Sequence, residues 1–194
     1  MTAAVHRADT RRAQAVYRFG AAAVLAMVLA GCVAERAVVD DAIALRNPTA
    51  PIGVTSRYDD ARFAGPWFVR GVISRGPAPL RIERRAVADD VIWRFEQEVC
   101  ATDGGPCRIT REDWRAETDV PGADLVLNPN GGEDLRPVVV WIDEGYRTAA
   151  VGDAAGRFAW VLDRAPQGGA DRIAAAQQVL AFSGFDPAQM RMSD

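Results

Sequence analysis

The chain has 194 residues, of which 49% are hydrophobic and 25% charged, and its formal net charge is −3 at pH 7. This length is enough to bury the core of one globular domain, and the apolar content excludes a wholly disordered protein. All 23 basic residues are arginine. A lysine Schiff base and a lysine-bearing phosphate loop are therefore excluded.

The first 31 residues have the pattern of a signal peptide. Four arginines precede the unbroken apolar run from Ala21 to Ala30. As a helix, ten residues rise about 15 Å, which is half of a hydrocarbon core of about 30 Å. The run is therefore too short to span a bilayer, and it predicts the hydrophobic region of a cleaved signal at residues 1–31.

The end of this signal resembles the lipobox of bacterial lipoproteins, in the residues Leu29-Ala30-Gly31-Cys32. The resemblance implies cleavage before Cys32 and lipidation of that cysteine, which would anchor the chain to a membrane. The residues that follow have a mixed composition and no sustained period, so the lipidated N-terminus and a tether are predicted over residues 32–61. Val33, and not an aspartate, follows the cysteine, which by the same resemblance favours the outer membrane, facing the periplasm. The alternatives are a plain secretory signal with a chance cysteine and, more weakly, a twin-arginine signal.

Cleavage at this point changes the charge and the available chemistry. The mature chain would keep 19 arginines and 25 acidic residues, a net charge of −6. Such a domain is repelled by phosphate backbones, so we predict no nucleic-acid partner. Cleavage also removes His6, the only histidine, which excludes histidine-based catalysis and histidine metal sites. We predict no enzyme activity, no catalytic residue, no metal and no cofactor.

Two cysteines remain, and they flank a segment rich in turn residues. Cys100 and Cys107 enclose Ala101 to Pro106, and the compartment beyond a bacterial inner membrane is oxidising. The leading prediction is a disulfide that closes this short loop. A reactive thiol and half of a metal site stay open as alternatives.

From residue 62 onward the pattern predicts many short strands and then one helix. The helix begins near Gly169 or Asp171 and ends at Gly184, and a short final strand holds Phe185 and Met190. This order predicts an all-β fold over residues 62–194: a closed barrel of antiparallel strands with a C-terminal α-helix packed outside. The other predicted strands are Trp67–Ile73, Val91–Glu96, Arg108–Arg115, Ala123–Leu127, Val138–Ile142, Arg147–Val151 and Phe158–Leu162.

Three motifs in this region resemble those of lipocalins, and they occur in the same order. They are Gly65 with Trp67 on the first strand, Asp143 with Tyr146 between two strands, and Arg164 after the last barrel strand. The bacterial outer-membrane and apolipoprotein D branch is the most similar. The resemblance implies an eight-stranded antiparallel up-and-down β-barrel, in which Trp67 fills the closed end and Arg164 lies across its face. These five residues are therefore expected to be structural, although Arg164 could instead be a surface arginine.

Any binding function is expected inside the barrel. An eight-stranded barrel is wide enough for one small ligand, and an apolar lining favours a fatty acid or lysophospholipid. Arg111 and Arg147 are candidates to meet an acidic headgroup. Alternatively, the side chains fill the barrel, and the protein is an envelope interaction module. Strand alternation assigns the lining to Val69, Gly71, Ile73, Val91, Trp93, Phe95, Phe158, Trp160 and Leu162.

Overall fold

A computed structural model of the chain describes residues 45–101 and 104–193. The predicted signal peptide, Cys32 and the first part of the predicted tether lie outside these ranges. Within them, no helix is both long and apolar enough to cross a bilayer.

The described residues form nine strands, two α-helices and one 3₁₀ helix. The bounds in chain order are α1 Asp60–Phe63, β1 Gly65–Ser74, β2 Arg81–Val87, β3 Asp90–Cys100, β4 Cys107–Val120, β5 Ala123–Val126, β6 Pro137–Ile142, β7 Thr148–Asp153, β8 Phe158–Asp163, α2 Ala170–Phe182, the 3₁₀ helix Pro187–Gln189 and β9 Arg191–Met192.

Strands β1 to β8 form a closed ring. Each strand pairs antiparallel with the next, and β1 also pairs with β8, so that the sheet returns to its start. Strand β9 pairs with Gly71 and Val72 of β1 and lies outside the ring. The predicted eight-stranded antiparallel barrel is confirmed.

The membership of the barrel differs from the prediction in one strand. The charged segment Arg81–Val87 forms β2, which the sequence pattern did not reveal. The predicted final strand is not part of the barrel, because Phe185 makes an isolated bridge with Arg46 and the strand proper is β9.

A bulge in β1 corrects two of the predicted lining residues. Val69 pairs with Leu162 and Gly71 pairs with Val161, so Arg70 is an extra residue in β1. An extra residue moves the following side chains to the opposite faces. Val72 therefore joins the interior cluster, whereas Gly71 and Ile73 face outward, against the prediction.

The exterior contacts of these two residues show the change of face. A Cβ added at Gly71 would lie 2.8 Å from the sulfur of Met190. Ile73 packs in the outer cluster with residues of α2.

Helix α2 covers one outer face of the barrel, as predicted. Its buried residues are Ile173, Ala176 and Leu180, and they share the outer cluster with Ile73 and Val161. The helix ends as predicted, because Gly184 adopts a φ of +92° that favours glycine. The molecule thus has one core inside the ring and a second between the ring and α2.

Residues 45–61, predicted as the end of a tether, pack on the barrel. Arg46 is 8% exposed, and its guanidinium donates hydrogen bonds to the carbonyls of Ser183 and Ala154 at 3.0 and 3.1 Å. The backbone N–H of Thr55 donates to the carbonyl of Val139 at 2.9 Å. The chain therefore contacts the folded domain well before residue 62.

Candidate functional site

Trp67 and Arg164 close one end of the barrel. The guanidinium carbon of Arg164 lies 3.7 Å from the centre of the Trp67 ring, and the indole is fully buried. The guanidinium also donates to the carbonyls of Pro66, Arg62 and Ala64 at 2.8, 2.8 and 2.9 Å. Burial lowers the pKa of Arg164 from its usual value. The residue lies across the tryptophan as expected and is not a free surface arginine.

The turn between β6 and β7 braces the same end. The carboxylate of Asp143 accepts hydrogen bonds from the backbone N–H groups of Gly145, Arg147 and Thr148 at 3.1, 2.6 and 2.6 Å. Burial alone would raise the pKa of Asp143, but these three donors outweigh it and lower the pKa. The motif acid therefore holds a turn together and has a structural role.

Tyr146 joins this turn to the segment that precedes α1. Its hydroxyl donates to the carbonyl of Arg57, and the guanidinium of Arg62 lies 3.8 Å from its ring centre. Tyr146 thus contacts the chain at Arg57 and Arg62, whereas Asp143 contacts the residues of its own turn. We infer no ligand contact for them.

The two candidate headgroup arginines do not line the cavity at the open end of the barrel. Arg147 lies at the closed end, 3.3 Å from the carboxylate of Asp143. Arg111 lies on the outer face of β4, where it pairs with Glu96 at 2.9 Å. Both expectations are therefore wrong.

A buried ion pair lies inside the barrel, and the sequence pattern did not reveal it. Nε of Arg84 donates to Oδ2 of Asp124 at 2.7 Å, and the two side chains are only 5% and 2% exposed. Asp124 also accepts from the indole N–H of Trp93 at 2.7 Å and from the hydroxyl of Thr118 at 2.5 Å. Burial alone lowers the pKa of Arg84, but its bond to Asp124 outweighs that effect and raises the pKa.

The opposite end of the ring contains a cavity of about 360 Å³. Aromatic rings form much of its wall: Phe158 and Trp160 stack with centres 4.1 Å apart, and Phe95 lies 5.2 Å from Trp114 and 6.2 Å from Trp160. The full lining is Ser74, Gly76, Pro77, Pro79, Phe95, Gln97, Trp114, Glu133, Leu135, Arg157, Phe158 and Trp160.

The structure places six of the nine predicted lining residues in the interior cluster. Three of these, Phe95, Phe158 and Trp160, border the cavity. Val91 is partly buried against the cluster, and the remaining two, Gly71 and Ile73, face outward. Ligand contact itself stays a prediction. The six are Val69, Trp93, Phe95, Phe158, Trp160 and Leu162.

Trp114 is the main wall residue that the sequence pattern did not identify. It lies in β4, whose surrounding residues are charged, so hydropathy gave no sign of an inner face. The register between β3 and β4 is the signal that could have identified it. Trp114 pairs directly with Trp93, which was predicted to point inward. Residues in direct register point to the same face of a sheet.

The two cysteines are joined in a disulfide next to this end of the barrel. Cys100 and Cys107 are the last paired residues of the β3–β4 hairpin. The disulfide prediction is confirmed. The alternatives of a reactive thiol and half of a metal site are wrong, because each sulfur is bonded to the other.

Solved structures with a similar fold identify the class of this barrel. The chain resembles lobster apocrustacyanin A1 (TM-score 0.53, 10% identity, 69% of this chain and 77% of that one). It also resembles apocrustacyanin C1 (0.51, 12%, 74% and 89%) and apocrustacyanin C2 (0.50, 10%, 74% and 89%). Crustacyanins are lipocalins. No protein-family model and no curated protein sequence matches the chain.

At this level of identity the likeness shows the fold alone. The domain is a lipocalin-like barrel: eight antiparallel strands, one strand outside the ring and a C-terminal helix. Kinship with the bacterial outer-membrane or apolipoprotein D branch stays a prediction from the sequence motifs.

Proposed function

We propose that this protein is a lipid-anchored carrier of the bacterial cell envelope. It holds one small hydrophobic ligand, a fatty acid or lysophospholipid, for storage or transport at the outer membrane. The observation that carries the proposal is the aromatic-walled cavity of about 360 Å³. Ligand sites have volumes of about 300–1,000 Å³, and a cavity at the lower end of that range suits one acyl chain.

The apolar wall sets the expected affinity. A micromolar dissociation constant corresponds to about 8 kcal/mol, and each buried methylene contributes about 0.8 kcal/mol. Micromolar binding would therefore need about ten buried methylenes of the ligand. This number does not include the loss of translational and rotational freedom on association, which would raise it. Because Phe63, Trp67 and Trp93 fill the closed half, we expect micromolar and not nanomolar binding.

The lipobox supports the membrane location. Twelve residues separate Cys32 from Leu45, the first residue that the structure describes. An extended chain spans at most about 3.3–3.6 Å per residue, so this segment reaches roughly 45 Å. A barrel held at that distance stays close to the lipids that would supply its ligand.

The ligand proposal is tested by filling the cavity from a position outside the core. The full chain, extracted from its own membrane, is titrated with a fluorescent fatty acid, and its bound lipids are recorded by native mass spectrometry. Gln97 borders the cavity, so Gln97→Trp should weaken binding at least tenfold. Glu98→Trp, at the neighbouring and exposed position of β3, is the matched control and should bind normally. If Gln97→Trp and Glu98→Trp bind the fatty acid equally well, the ligand site lies outside this cavity.

The anchor is tested by intact mass. The chain recovered from envelope membranes should lack residues 1–31 and carry the added mass of a lipidated cysteine. Cys32→Ser should abolish both changes and release the protein from the membrane fraction. An unmodified Cys32 would contradict the lipid anchor and would indicate a secreted barrel without one.

The second candidate is an envelope interaction module without a ligand. It is favoured by the filled closed half, where Trp67 and Trp93 are fully or almost fully buried. If no saturable ligand binding is found while circular dichroism shows a folded barrel, this function replaces the carrier.

A further inference from the structure

The charges around the cavity point to the headgroup of its ligand. Among the described residues that line the cavity, Arg157 is the one cation. Its Nε and Nη2 donate to the two oxygens of Asp153 at 2.8 and 2.9 Å. Its Nη1 lies 2.6 Å from Glu133 and donates to the carbonyl of Asp134 at 2.8 Å. Two carboxylates therefore surround one guanidinium, which leaves this part of the wall with a charge of −1.

This guanidinium stays charged and committed to its partners. The hydrogen bond to Asp153 raises the pKa of Arg157, and the nearby charge of Glu133 adds to the effect. The side chain of Asp153 is fully buried, so releasing Arg157 to a ligand would leave an uncompensated buried carboxylate. Arg157 is thus held away from a ligand headgroup.

A further carboxylate lies on the edge of the aromatic wall. Glu112 is two residues before Trp114 in β4, and its Oε2 accepts a hydrogen bond from the indole N–H at 3.1 Å. The one donor of this tryptophan is thereby used. The hydroxyl of Ser74, also at the wall, donates to the carbonyl of Gly76 at 3.0 Å.

We propose that this cavity prefers an amphiphile with a quaternary ammonium head to one with a carboxylate head. The inference rests on the proposed function, since it assigns the headgroup of a ligand in the same cavity. A carboxylate would meet the net negative charge around Arg157, whose guanidinium is already paired with Asp153 and Glu133. An ammonium head would meet Glu112, Glu133 and aromatic ring faces, which carry negative electrostatic potential. Of the two ligand classes above, a lysophospholipid ending in a quaternary ammonium fits better than a free fatty acid.

Three probes with the same length of alkyl chain separate the contribution of the headgroup to the binding free energy from that of the hydrophobic tail. Dodecyltrimethylammonium, dodecanol and dodecanoate are titrated into the full chain by calorimetry, at pH 7 and below their micellar concentrations. We expect the ammonium probe to bind about tenfold more tightly than dodecanoate, with dodecanol between them. Gln97→Trp should abolish the saturable phase, which separates cavity binding from surface binding to an acidic protein.

Two exposed carboxylates provide the variants. The double variant Glu112→Gln with Glu133→Gln should reduce the preference to less than about threefold, because it removes the two rim charges while keeping the side-chain shapes. Glu117→Gln is the control and removes an exposed charge from the same strand as Glu112. Glu117 follows the buried Ala116 and therefore points to the outer face of β4. This variant should leave the preference for the ammonium probe unchanged.

The outcomes separate the two proposals. Dodecanoate binding as tightly as the ammonium probe would overturn the headgroup inference and leave the carrier function standing. A preference that survives in the double variant would also overturn it. Failure of all three probes to bind a folded protein would overturn the carrier function itself.

Discussion

Removing the charge of Asp124 should destabilise the barrel from the inside. Asp124→Asn keeps the size of the side chain, and the amide oxygen can still accept from the indole of Trp93 and from Nε of Arg84. What changes is that the Arg84 cation, 5% exposed, loses its buried counter-charge. Asp60 still lies 2.8 Å from Arg84, but it is 54% exposed and compensates only in part.

The structure sets the expected size of this effect. Breaking a buried ion pair by removing one partner typically costs about 3–5 kcal/mol. Because Asp60 remains, we expect the lower end, about 3 kcal/mol. For a domain of roughly 150 residues this corresponds to a fall in melting temperature of about 6–12 °C.

A double-mutant cycle distinguishes the loss of the pair from a general packing defect. The full chain and its variants are unfolded in urea and followed by tryptophan fluorescence and far-ultraviolet circular dichroism. Arg84→Met combined with Asp124→Asn should be more stable than Asp124→Asn alone, because the unpaired buried cation is gone. The coupling free energy should be at least about 2 kcal/mol.

Two results would refute this reasoning. One is a loss of less than about 1 kcal/mol in Asp124→Asn, which would mean that the pair is solvated in solution. The other is a double variant whose loss equals the sum of the two single losses within about 0.5 kcal/mol, which would show no coupling between the residues.

Three further predictions concern the ends of the barrel. Arg164→Met should cost about 3 kcal/mol in urea unfolding, because it removes the contact with Trp67 and the hydrogen bonds to backbone carbonyls; Arg164→Lys should not restore the loss. The pKa of Asp143 is lower in the folded state than its unfolded value of about 3.9, so its contribution is complete above about pH 5 and is lost as the pH falls. Asp143→Asn should therefore flatten the pH dependence of the unfolding free energy between about pH 5 and 2; an unchanged slope would contradict this. Replacing Cys100 and Cys107 by serine should cost about 2.5 kcal/mol, from the entropy of a short closed loop, and treatment with a reductant should have no effect on that variant.

The parts of the fold that the sequence predicted are those governed by local patterns. Trp93 and Phe95 alternate with polar residues, and both face the interior as expected. Helix α2 follows from apolar spacing and from the glycine at its end. The motif residues Trp67 and Arg164 come together because each occupies a fixed position at the end of a strand.

The parts that were missed depend on contacts between distant residues. Strand β2 has an arginine at an inward position, which hydropathy alone assigns to solvent. Arg84 is nevertheless inside, because Asp124, 40 residues away, supplies the counter-charge. The bulge at Arg70 is similar, since one extra residue between Val69 and Gly71 is visible only in the pairing with β8. No local pattern of apolar residues reports either feature.

The division of the barrel into a filled half and a hollow half fixes how the proposed carrier would behave. Trp67, Trp93 and the Arg84–Asp124 pair form a filled floor, so an alkyl chain would enter only from the opposite end and only to a limited depth. With micromolar affinity and an association rate constant of about 10⁵–10⁷ M⁻¹s⁻¹, the ligand would leave at roughly 0.1–10 per second. Exchange within seconds would suit the proposed membrane-tethered carrier, because the bilayer could reload its cavity continuously. A deep, fully hollow barrel would bind more tightly and release its ligand too slowly for that role. In the proposed carrier, a floor filled with aromatic rings and a buried ion pair would therefore favour turnover over retention.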